Sequence, residues 1–375
     1  MSTIHIIGCG FVADLYMGSL KAFPDISVGQ VFDRDAARLD AFSAYWNVPK
    51  VDSIEALLAA AGPGSVILNL TNPGSHYEVS RTCLEAGCHV YSEKPLAMDM
   101  NHASALHALA GERGLMLASA PCSVLGEAAQ TLGHAVRTGV AGTPRLIYAE
   151  LDDDFVPQAP YKKWIGESGP PWPYEDEFRV GCTLEHAGYY LTWLIAMFGP
   201  VRRVISASAE TIPDKIPGAG AMAPDYASAT LFFEDGPVTR LTCSIVAPHD
   251  HRLRMFCDNG VLEMPAAWNN NAKVKFRRRF TIRRRLVTHP LGRRIRLKGP
   301  THPKVGRTGA ASMNFMLGPA EMLAARDEER PCRLSADFAL HLNEVTLAIQ
   351  SAGDGTGVQE MTTRCDPMEP MPWAR

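Results

Sequence analysis

Short apolar runs alternate with amphipathic, helix-like segments over residues 1–120. The strand-like runs cover residues 4–7, 28–32, 65–70, 88–91 and 115–118. Helix-like segments lie between them at residues 36–45, 54–60 and 101–113, with two more expected after the glycines near residue 10 and after the turn near residue 75. Parallel strands that are covered on both faces have such continuous apolar runs, so the alternation predicts an α/β domain built on a parallel sheet.

The pattern changes after residue 120. Strands are expected at residues 145–151, 203–209, 226–233, 239–247, 252–256 and 261–264, and helices at residues 125–137, 181–198, 311–326 and 335–352. Asp235-Gly236 and Asn259-Gly260 are typical hairpin turns between consecutive strands. We therefore predict two domains, residues 1–120 and 121–375, the second an α+β domain with an open, mostly antiparallel sheet.

The composition is that of an ordinary globular protein, with 46% hydrophobic and 21% charged residues in a chain of 375. No apolar run approaches the roughly 20 residues of a membrane span. The N-terminus enters the strand pattern at once, without a basic region or a cleavable apolar segment, so we expect a cytoplasmic protein. Nine cysteines without CxxC spacing predict reduced, buried thiols and neither a disulfide framework nor a zinc site.

The stretch after the first strand, GCGFVA at residues 8–13, predicts a tight turn into a helix. Gly8 permits the turn, Gly10 lets a pyrophosphate approach the backbone, and Ala13 allows close packing of the helix on the strand. The helix N-terminus would offer its free N–H groups to the phosphates. Asp33 ends the second strand, where an acidic side chain binds the adenosine ribose of NAD. The adjacent Arg34 keeps NADP open, because an arginine there can meet a 2'-phosphate.

The segment Ser92-Glu93-Lys94-Pro95 follows the fourth apolar run. Open α/β sheets bind ligands in the crevice outside the carboxyl ends of their strands, and Lys94 would lie there. Pro95 ends the strand and disfavours an α conformation at Lys94, so the ammonium group would be held by a stiff backbone. Thr71-Asn72-Pro73, with His76 after it, follows the third strand at the same edge. Taken alone, each segment is also typical of a simple turn.

In this order and spacing, the glycine turn, Asp33, Thr71-Asn72-Pro73 with His76, and Glu93-Lys94-Pro95 resemble the glucose-fructose oxidoreductase and inositol dehydrogenase family, Gfo/Idh/MocA. By layout the resemblance covers about the whole chain. It implies a Rossmann dinucleotide-binding domain, followed by a domain whose open sheet receives the substrate. It also implies that Lys94 contacts both the nicotinamide ribose and the substrate. The cofactor-binding residues expected are Gly8, Gly10, Phe11, Val12, Asp33, Arg34, Thr71, Asn72, His76, Glu93 and Lys94.

The predicted helix that ends before Gly199 carries two candidate pairs, Glu185 with Tyr189 and His186 with Tyr190. The members of each pair are four residues apart, so each pair lies on one face of an α-helix, and the two faces are about 100° apart. Only one pair can then point squarely at a site. The family usually carries Asp, Gly and His at spacings of two in this helix. The family's Asp and His positions correspond to Glu185 and Tyr189 in this sequence, so the usual histidine of the family is absent here.

Two proton acceptors therefore remain open. A tyrosine beside a lysine can move a proton, because a cation about 4–6 Å away favours the phenolate, and this supports Tyr189 next to Lys94. His186 is the rival, because the ordinary pKa of histidine is near neutrality, although it is equally typical of a helix residue without chemistry. The catalytic candidates are Lys94, Tyr189, Glu185 and His186.

Residues 152–178 are rich in proline, tryptophan and acidic side chains, which predicts either a loop over the site or an ordered surface loop. His249-Asp250-His251 has no third metal ligand nearby and is more typical of a solvated turn, so no metal site is predicted. The expected substrate-binding residues are Lys94, Trp164, Trp172, Glu185 and Tyr189.

Residues 273–307 hold fourteen Lys and Arg and no Asp or Glu, although the net charge of the chain is -3. The segment departs from a generic family member, and its alternating apolar and basic residues predict an insertion that pairs as strands with arginines on the wet face. A solvated basic face that balances an acidic body is favoured. Alternatively, the segment binds phosphate, an anionic glycan or a membrane surface. Nucleic acid is not expected, because no known reading module accompanies the segment.

The first functional hypothesis is an NAD(P)-dependent oxidoreductase that transfers a hydride between nicotinamide and a secondary alcohol of a sugar, nucleotide sugar or related polyol. A side chain would take the hydroxyl proton while Lys94 stabilises the developing alkoxide. One alternative keeps NAD tightly bound and oxidises transiently, for epimerisation or glycoside elimination. Another is a non-catalytic NAD(P)-dependent sensor or repressor. We expect a small-molecule substrate and a homo-oligomer. Lys94 with Glu185 favours an enzyme, because a binding protein does not need that lysine.

Overall fold

The computed structural model describes residues 2–307, 309–352 and 357–375. Its first sheet contains five strands: β1 (Ser2–Ile7), β2 (Ile26–Phe32), β3 (Val66–Asn69), β4 (His89–Ser92) and β5 (Leu117–Ser119). The strands are parallel in the order β2-β1-β3-β4-β5. The flanking helices are α1 (Phe11–Leu20), α2 (Ala36–Trp46), α3 (Ile54–Ala61), α4 (His76–Glu85) and α5 (Met100–Glu112). This arrangement confirms the predicted Rossmann-type domain.

The second sheet contains ten strands. They are β6 (Pro144–Asp152), β7 (Val201–Ala209), β8 (Tyr226–Phe233), β9 (Val238–Ser244), β10 (Leu253–Cys257), β11 (Gly260–Met264), β12 (Lys275–Ile282), β13 (Arg285–Thr288), β14 (Arg293–Arg294) and β15 (Val358–Glu360). The order is β13-β12-β11-β10-β6-β9-β8-β7-β15, with β14 paired to β12. Within this sheet β6 and β9 are parallel and the other described pairs are antiparallel, which confirms the mostly antiparallel sheet.

Five further α-helices accompany this sheet in the described part of the chain. They are α6 (Glu127–Arg137), α7 (Tyr174–Val180), α8 (Gly188–Phe198), α9 (Leu317–Asp327) and α10 (Ala336–Gln350). Helix α7 lies in the segment predicted as a loop, and α9 begins later than expected because the side chain of Asn314 accepts a hydrogen bond from the backbone N–H of Met316, at 3.1 Å. No helix in the described ranges is both long and apolar enough to cross a membrane.

Helix α10 joins the two sheets. It packs against β7 of the second sheet and against α5 of the first domain. Its Asn343 Oδ1 accepts a hydrogen bond from Ala97 N at 3.2 Å, and its His341 Nε2 accepts one from Val201 N at 2.9 Å. One cluster of buried side chains extends from β1 of the first sheet to β11 of the second, and another packs α10 against the first domain. The carboxyl edge of the parallel sheet is therefore held facing the second domain.

The basic segment pairs as strands, as predicted. Strand β12 extends the sheet beyond β11, and β13 forms its outer edge. Most of the arginines are exposed, and so are Ile282, Leu286 and Leu291. The segment therefore has a solvent-exposed basic surface that also carries apolar side chains. The nine cysteines are all buried and unpaired, as the reduced-thiol prediction requires.

The turn after β1 depends on glycine at position 8. Gly8 has φ of 99°, a left-handed conformation that favours glycine. A Cβ atom on Gly8 would lie 2.5 Å from the backbone oxygen of Leu70, which follows β3. By contrast, Gly10 has φ of -82°, and no described atom lies within 4 Å of the Cβ that an alanine would add.

We expect Gly8→Ala to lower the free energy of unfolding by about 2–4 kcal/mol, because the methyl group meets rigid backbone and the φ angle is strained. Gly10→Ala is the matched control and should leave this free energy within about 0.5 kcal/mol of the wild type. Urea denaturation measures both. Equal stabilities for the two variants would contradict the turn geometry.

Candidate active site

A cavity of about 940 Å³ lies between the carboxyl edge of the parallel sheet and the second domain. Among the candidates, those of the first domain that line it are Gly8, Gly10, Phe11, Val12, Asp33, Arg34, Thr71, Asn72, Glu93 and Lys94. Those of the second domain are Trp164, Trp172, Glu185, His186 and Tyr189. The structure thus brings together all the predicted site residues except His76.

The glycine turn and Asp33 form one end of the cavity. Asp33 Oδ2 accepts a hydrogen bond from Cys9 N at 2.8 Å, and Oδ1 accepts one from Asp35 N at 2.8 Å. These bonds hold the carboxylate beside the start of α1, where no described side chain caps the helix. The open face of Gly10 and the free N–H groups of the first turn suit a pyrophosphate. These residues fit a dinucleotide, with Asp33 toward the adenosine ribose.

His76 supports the cavity wall from behind. Its ring is completely buried, with Nδ1 2.7 Å from the carbonyl oxygen of Pro95 and Nε2 3.0 Å from that of Thr71. Burial lowers the pKa of His76, although the two carbonyl groups oppose this shift. The expected cofactor contact is therefore replaced by a bridge between the Thr71 and Pro95 loops. The side chain of Asn69 assists, because its Oδ1 accepts a hydrogen bond from Thr71 Oγ1 at 2.7 Å.

Glu93 and Lys94 leave the end of β4 in the middle of the cavity. Tyr16 of α1 donates a hydrogen bond to Glu93 Oε1 at 2.6 Å, so the first helix positions this carboxylate. The Nζ atom of Lys94 forms an ion pair with Glu185 Oε2. The side chain of Glu185 is only 4% exposed and that of Lys94 19%. An amino group from the first domain and a carboxylate from the second thus meet in a poorly solvated place.

A second carboxyl group, that of Glu177 in α7, shares this pair. Burial and the neighbouring Glu185 carboxylate raise the pKa of Glu177 well above its ordinary value. Burial also opposes ionisation of Glu185, but Lys94 outweighs it and the pKa of Glu185 is lowered. Burial opposes the charge of Lys94 as well, yet Glu185 outweighs it and the pKa of Lys94 is raised. Lys94 and Glu185 are thus an ion pair, and ionisation of the Glu177 carboxyl group beside them is disfavoured.

The helix that carries Glu185 is locally wider than an α-helix. Thr183–Ala187 form a π-helical turn that continues into α8. Such turns widen the spacing of side chains and are frequent at functional sites. Glu185, His186 and Tyr189 all line the cavity, whereas Tyr190 is buried and donates its hydroxyl to the carbonyl of His251. Glu185 and Tyr189 thus face the cavity as a pair, as expected for one of the two pairs, and His186 lines it as well although Tyr190 does not.

The two rival proton acceptors have different surroundings. Burial raises the pKa of the Tyr189 phenol, although Lys94 opposes this shift. Tyr189 therefore rests as a neutral phenol near neutral pH. Burial lowers the pKa of His186, although Asp153 opposes this shift, so the imidazole rests neutral. No described group hydrogen-bonds to Nδ1 of His186.

The segment of residues 152–178 forms a wall of the cavity. Trp164 and Trp172 lie edge to face with ring centroids 5.0 Å apart. Ser168 N donates a hydrogen bond to Asp14 Oδ2 at 2.9 Å, and Asn72 Nδ2 donates one to Asp176 at 3.4 Å. Both bonds attach the segment to the first domain.

Asp153, Glu177 and Trp268 line the cavity but were not among the predicted site residues. The acidic content of residues 152–178 was the available sign for Asp153 and Glu177, and nothing in the sequence around Trp268 marked it. The expectation that His249-Asp250-His251 is a solvated turn was wrong for His251, which is 3% exposed. His249 and His251 lie beside Asp153, so a third possible ligand is close in space although distant in sequence.

Comparison with known proteins gives two family matches. Residues 3–120 match the model described as the oxidoreductase family with an NAD-binding Rossmann fold. Residues 129–263 match the model described as the GFO/IDH/MocA C-terminal domain. The two matched ranges contain cavity-lining residues of the first and of the second domain.

Characterised relatives and solved structures are similar over most of the chain. UDP-N-acetylglucosamine 3-dehydrogenase of Acidithiobacillus ferrooxidans is 30% identical over 67% of this chain and 70% of its own length. A solved structure of that enzyme has a TM-score of 0.69 at 20% identity and covers 94% of this chain and 97% of that one. The WlbA dehydrogenase of Bordetella pertussis, solved with NADH and UDP-GlcNAcA, has a TM-score of 0.71 at 16% identity, over 96% and 98%. D-apiose dehydrogenase of Paraburkholderia graminis is 24% identical over 64% of this chain and 59% of its own length.

We expect NADH to bind about 10-fold more tightly than NADPH, because the Asp33 carboxylate repels a 2'-phosphate more than Arg34 and Arg38 attract it. Arg38 already lies 3.7 Å from Asp33, which reduces its availability. Calorimetric titration with both nucleotides measures the ratio. Asp33→Asn keeps the side-chain shape and removes the charge, so it should reduce the preference. Tighter binding of NADPH by the wild type would refute this assignment.

Proposed function

The chain belongs to the GFO/IDH/MocA family of NAD-binding oxidoreductases, and from this premise we propose that it is a dehydrogenase acting on a secondary alcohol of a sugar, nucleotide sugar or related polyol. The observation that carries the proposal is the ion pair of Lys94 with Glu185. It places the Lys94 ammonium group at the carboxyl edge of the cofactor-binding sheet, in a cavity that residues of the second domain also line. A hydroxyl group bound there lies where both domains can act on it.

Lys94 supplies the electrostatic part of the reaction. When bound, the nicotinamide accepts or returns the hydride. The Lys94 ammonium stabilises the negative charge that develops on the substrate oxygen as its proton leaves, and the resulting alkoxide then releases the hydride from its carbon to form the carbonyl group. Glu185 holds the ammonium in position, and its own charge is balanced by that contact. The low exposure of the pair strengthens these interactions, because few water molecules screen them.

The cavity walls favour a polyhydroxylated substrate. Trp164 and Trp172 present aromatic faces, on which the apolar side of a sugar ring or a nucleobase can pack. Asp153, Glu177 and His186 add polar groups that can donate to or accept from hydroxyl groups. The named relatives act on UDP-N-acetylglucosamine and D-apiose, which supports this substrate class. The preferred cofactor is NAD.

Tyr189 is our first choice for the group that takes the hydroxyl proton. It occupies the position where the family usually carries histidine, and it lies in the electrostatic field of Lys94. Tyr189 would accept the hydroxyl proton in its phenolate form, which the Lys94 ammonium favours, and would become the neutral phenol in that step. His186 is the second choice, because its Nδ1 lone pair has no described partner and its ring lines the same cavity.

One observation favours a second candidate function. A dehydrogenase needs one proton acceptor, whereas this cavity also holds a second carboxyl group, that of Glu177, whose pKa is raised by burial and by the neighbouring Glu185. An additional acid–base pair would serve a transient oxidation followed by epimerisation or glycoside elimination, with NAD retained. Reaction in deuterated water distinguishes the two functions. Deuterium appears at carbon in recovered sugar only if a carbon-bound proton is exchanged.

We expect Lys94→Ala to lower turnover by about 10²–10³-fold or more while NADH affinity changes little, because the lysine acts on developing charge. Absorbance at the reduced-nicotinamide band measures turnover on a panel of sugars and nucleotide sugars. Lys50→Ala, at an exposed lysine that does not line the cavity, is the control and should retain wild-type rate. A wild-type rate for Lys94→Ala would refute the whole active-site assignment.

We expect Tyr189→Phe to lower turnover by about 10²–10⁴-fold with little change in stability, because only the phenolic oxygen is lost. His186→Gln should have a much milder effect. If His186→Gln is inactive while Tyr189→Phe is normal, His186 is the proton acceptor. Full activity of both variants would exclude this helix from proton transfer.

A further inference from the structure

A second polar cluster lies on the cavity wall of the second domain, apart from Lys94 and Glu185. It consists of Asp153, which directly follows β6, and of His249 and His251, which lie between β9 and β10. One potential ligand atom from each of the three residues lies within 4.8 Å of the others. The proposed hydride transfer uses none of these three side chains.

The distances in this cluster suit a shared ion better than direct hydrogen bonds. Asp153 Oδ1 is 3.5 Å from His249 Nδ1 and 3.7 Å from His251 Nε2. Hydrogen bonds between such groups are about 2.7–3.2 Å long. Around a tetrahedral ion with bonds of about 2.0–2.1 Å, neighbouring ligand atoms are about 3.4 Å apart. The carboxylate and the two imidazoles are therefore spaced close to the edges of a coordination polyhedron.

The backbone holds these side chains in place. Asp152 and Asp250 exchange two backbone hydrogen bonds, of 3.1 and 2.9 Å, which set the aspartate segment opposite the histidine segment. His249 N donates to Asp154 Oδ1 at 3.0 Å, and the Tyr190 hydroxyl donates to the carbonyl of His251. The histidine segment is thus attached to the end of β6 by a backbone bridge.

Aromatic packing orients the imidazole rings. The Trp268 ring lies edge to face against His251, with ring centroids 4.5 Å apart, and also contacts His249 and His186. The side chain of His251 is 2% exposed, so its ring is confined. His186 Nε2 lies 3.8 Å from Asp153 Oδ2, which places a third imidazole next to the carboxylate.

We propose that Asp153, His249 and His251 bind one divalent transition-metal ion, of which zinc is the best match. Two imidazoles and one carboxylate are the ligand set of zinc sites that keep a coordination position open for water or substrate. That position would face the cavity, because Asp153 lines it. A hydroxyl or carboxylate oxygen of the substrate is the chemical class it would take, and this last step rests on the proposed function. The binding of the ion itself does not.

The test uses the full-length protein after chelator treatment and dialysis. Zn²⁺ is titrated calorimetrically, and Co²⁺ is titrated while visible absorption reports tetrahedral coordination. We expect one equivalent of each metal to bind the wild type. His249→Ala and His251→Ala should each weaken binding by about 10²-fold or more, because each removes a ligand. His102→Ala, on the outer face of α5, is the control and should bind like the wild type.

The outcomes separate this inference from the proposed function. Absence of stoichiometric binding by the wild type, or equal binding by His249→Ala, would overturn the metal site. His249 is 49% exposed, so its variant should fold even if His251→Ala does not. NADH titration of each variant checks folding, because the cofactor binds the other domain. A protein that oxidises sugars yet binds no metal would refute only the metal site, whereas one that binds metal without turnover would refute only the dehydrogenase.

Discussion

The ion pair between Lys94 and Glu185 is the interaction on which the rest of the site depends. Moving either charge out of water costs several kcal/mol unless a partner of opposite charge is close. The lysine comes from the end of β4 and the glutamate from the helix that contains the π turn, so the pair can form only when both domains are in place. Loss of either partner would leave a poorly solvated, unpaired charge in the cavity.

The groups around this pair act mainly by positioning it. Tyr16 orients the Glu93 carboxylate, and His76 bridges two loops at the carboxyl edge of the sheet. Neither Tyr16 nor His76 needs to contact a ligand. Each fixes a residue adjacent to Lys94, because Tyr16 binds Glu93 and His76 binds the carbonyl group of Pro95. The loops that follow parallel strands lie at one edge of the sheet, and these buried side chains fix the positions of those loops.

Much of the fold was predictable because its elements are local patterns. Apolar strands, the glycine turn and the Asp33 position all follow from neighbouring residues, and the structure places them as expected. The π turn was not predictable, because one extra residue per turn leaves the apolar pattern of the helix almost unchanged. The closeness of Asp153 to His251 was not predictable either. It depends on the pairing of distant strands, which sequence spacing does not encode.

The protonation states of the central carboxyl groups bear on substrate recognition. Two carboxylates in contact cannot both remain ionised without a large electrostatic cost, and Lys94 decides which of them keeps the charge. Burial opposes the ionisation of both groups, but Lys94 lowers the pKa of Glu185, whereas Glu185 raises that of Glu177 further. A sugar hydroxyl both donates and accepts a hydrogen bond, so a bound hydroxyl can pair with the carboxyl oxygens and with the lysine ammonium. A substrate that lacks a hydroxyl there would leave buried polar groups unpaired, which is the stronger source of discrimination in enzyme pockets. Under the proposed function, the arrangement that holds the lysine in the cavity is therefore also the part of the wall that meets the substrate hydroxyl.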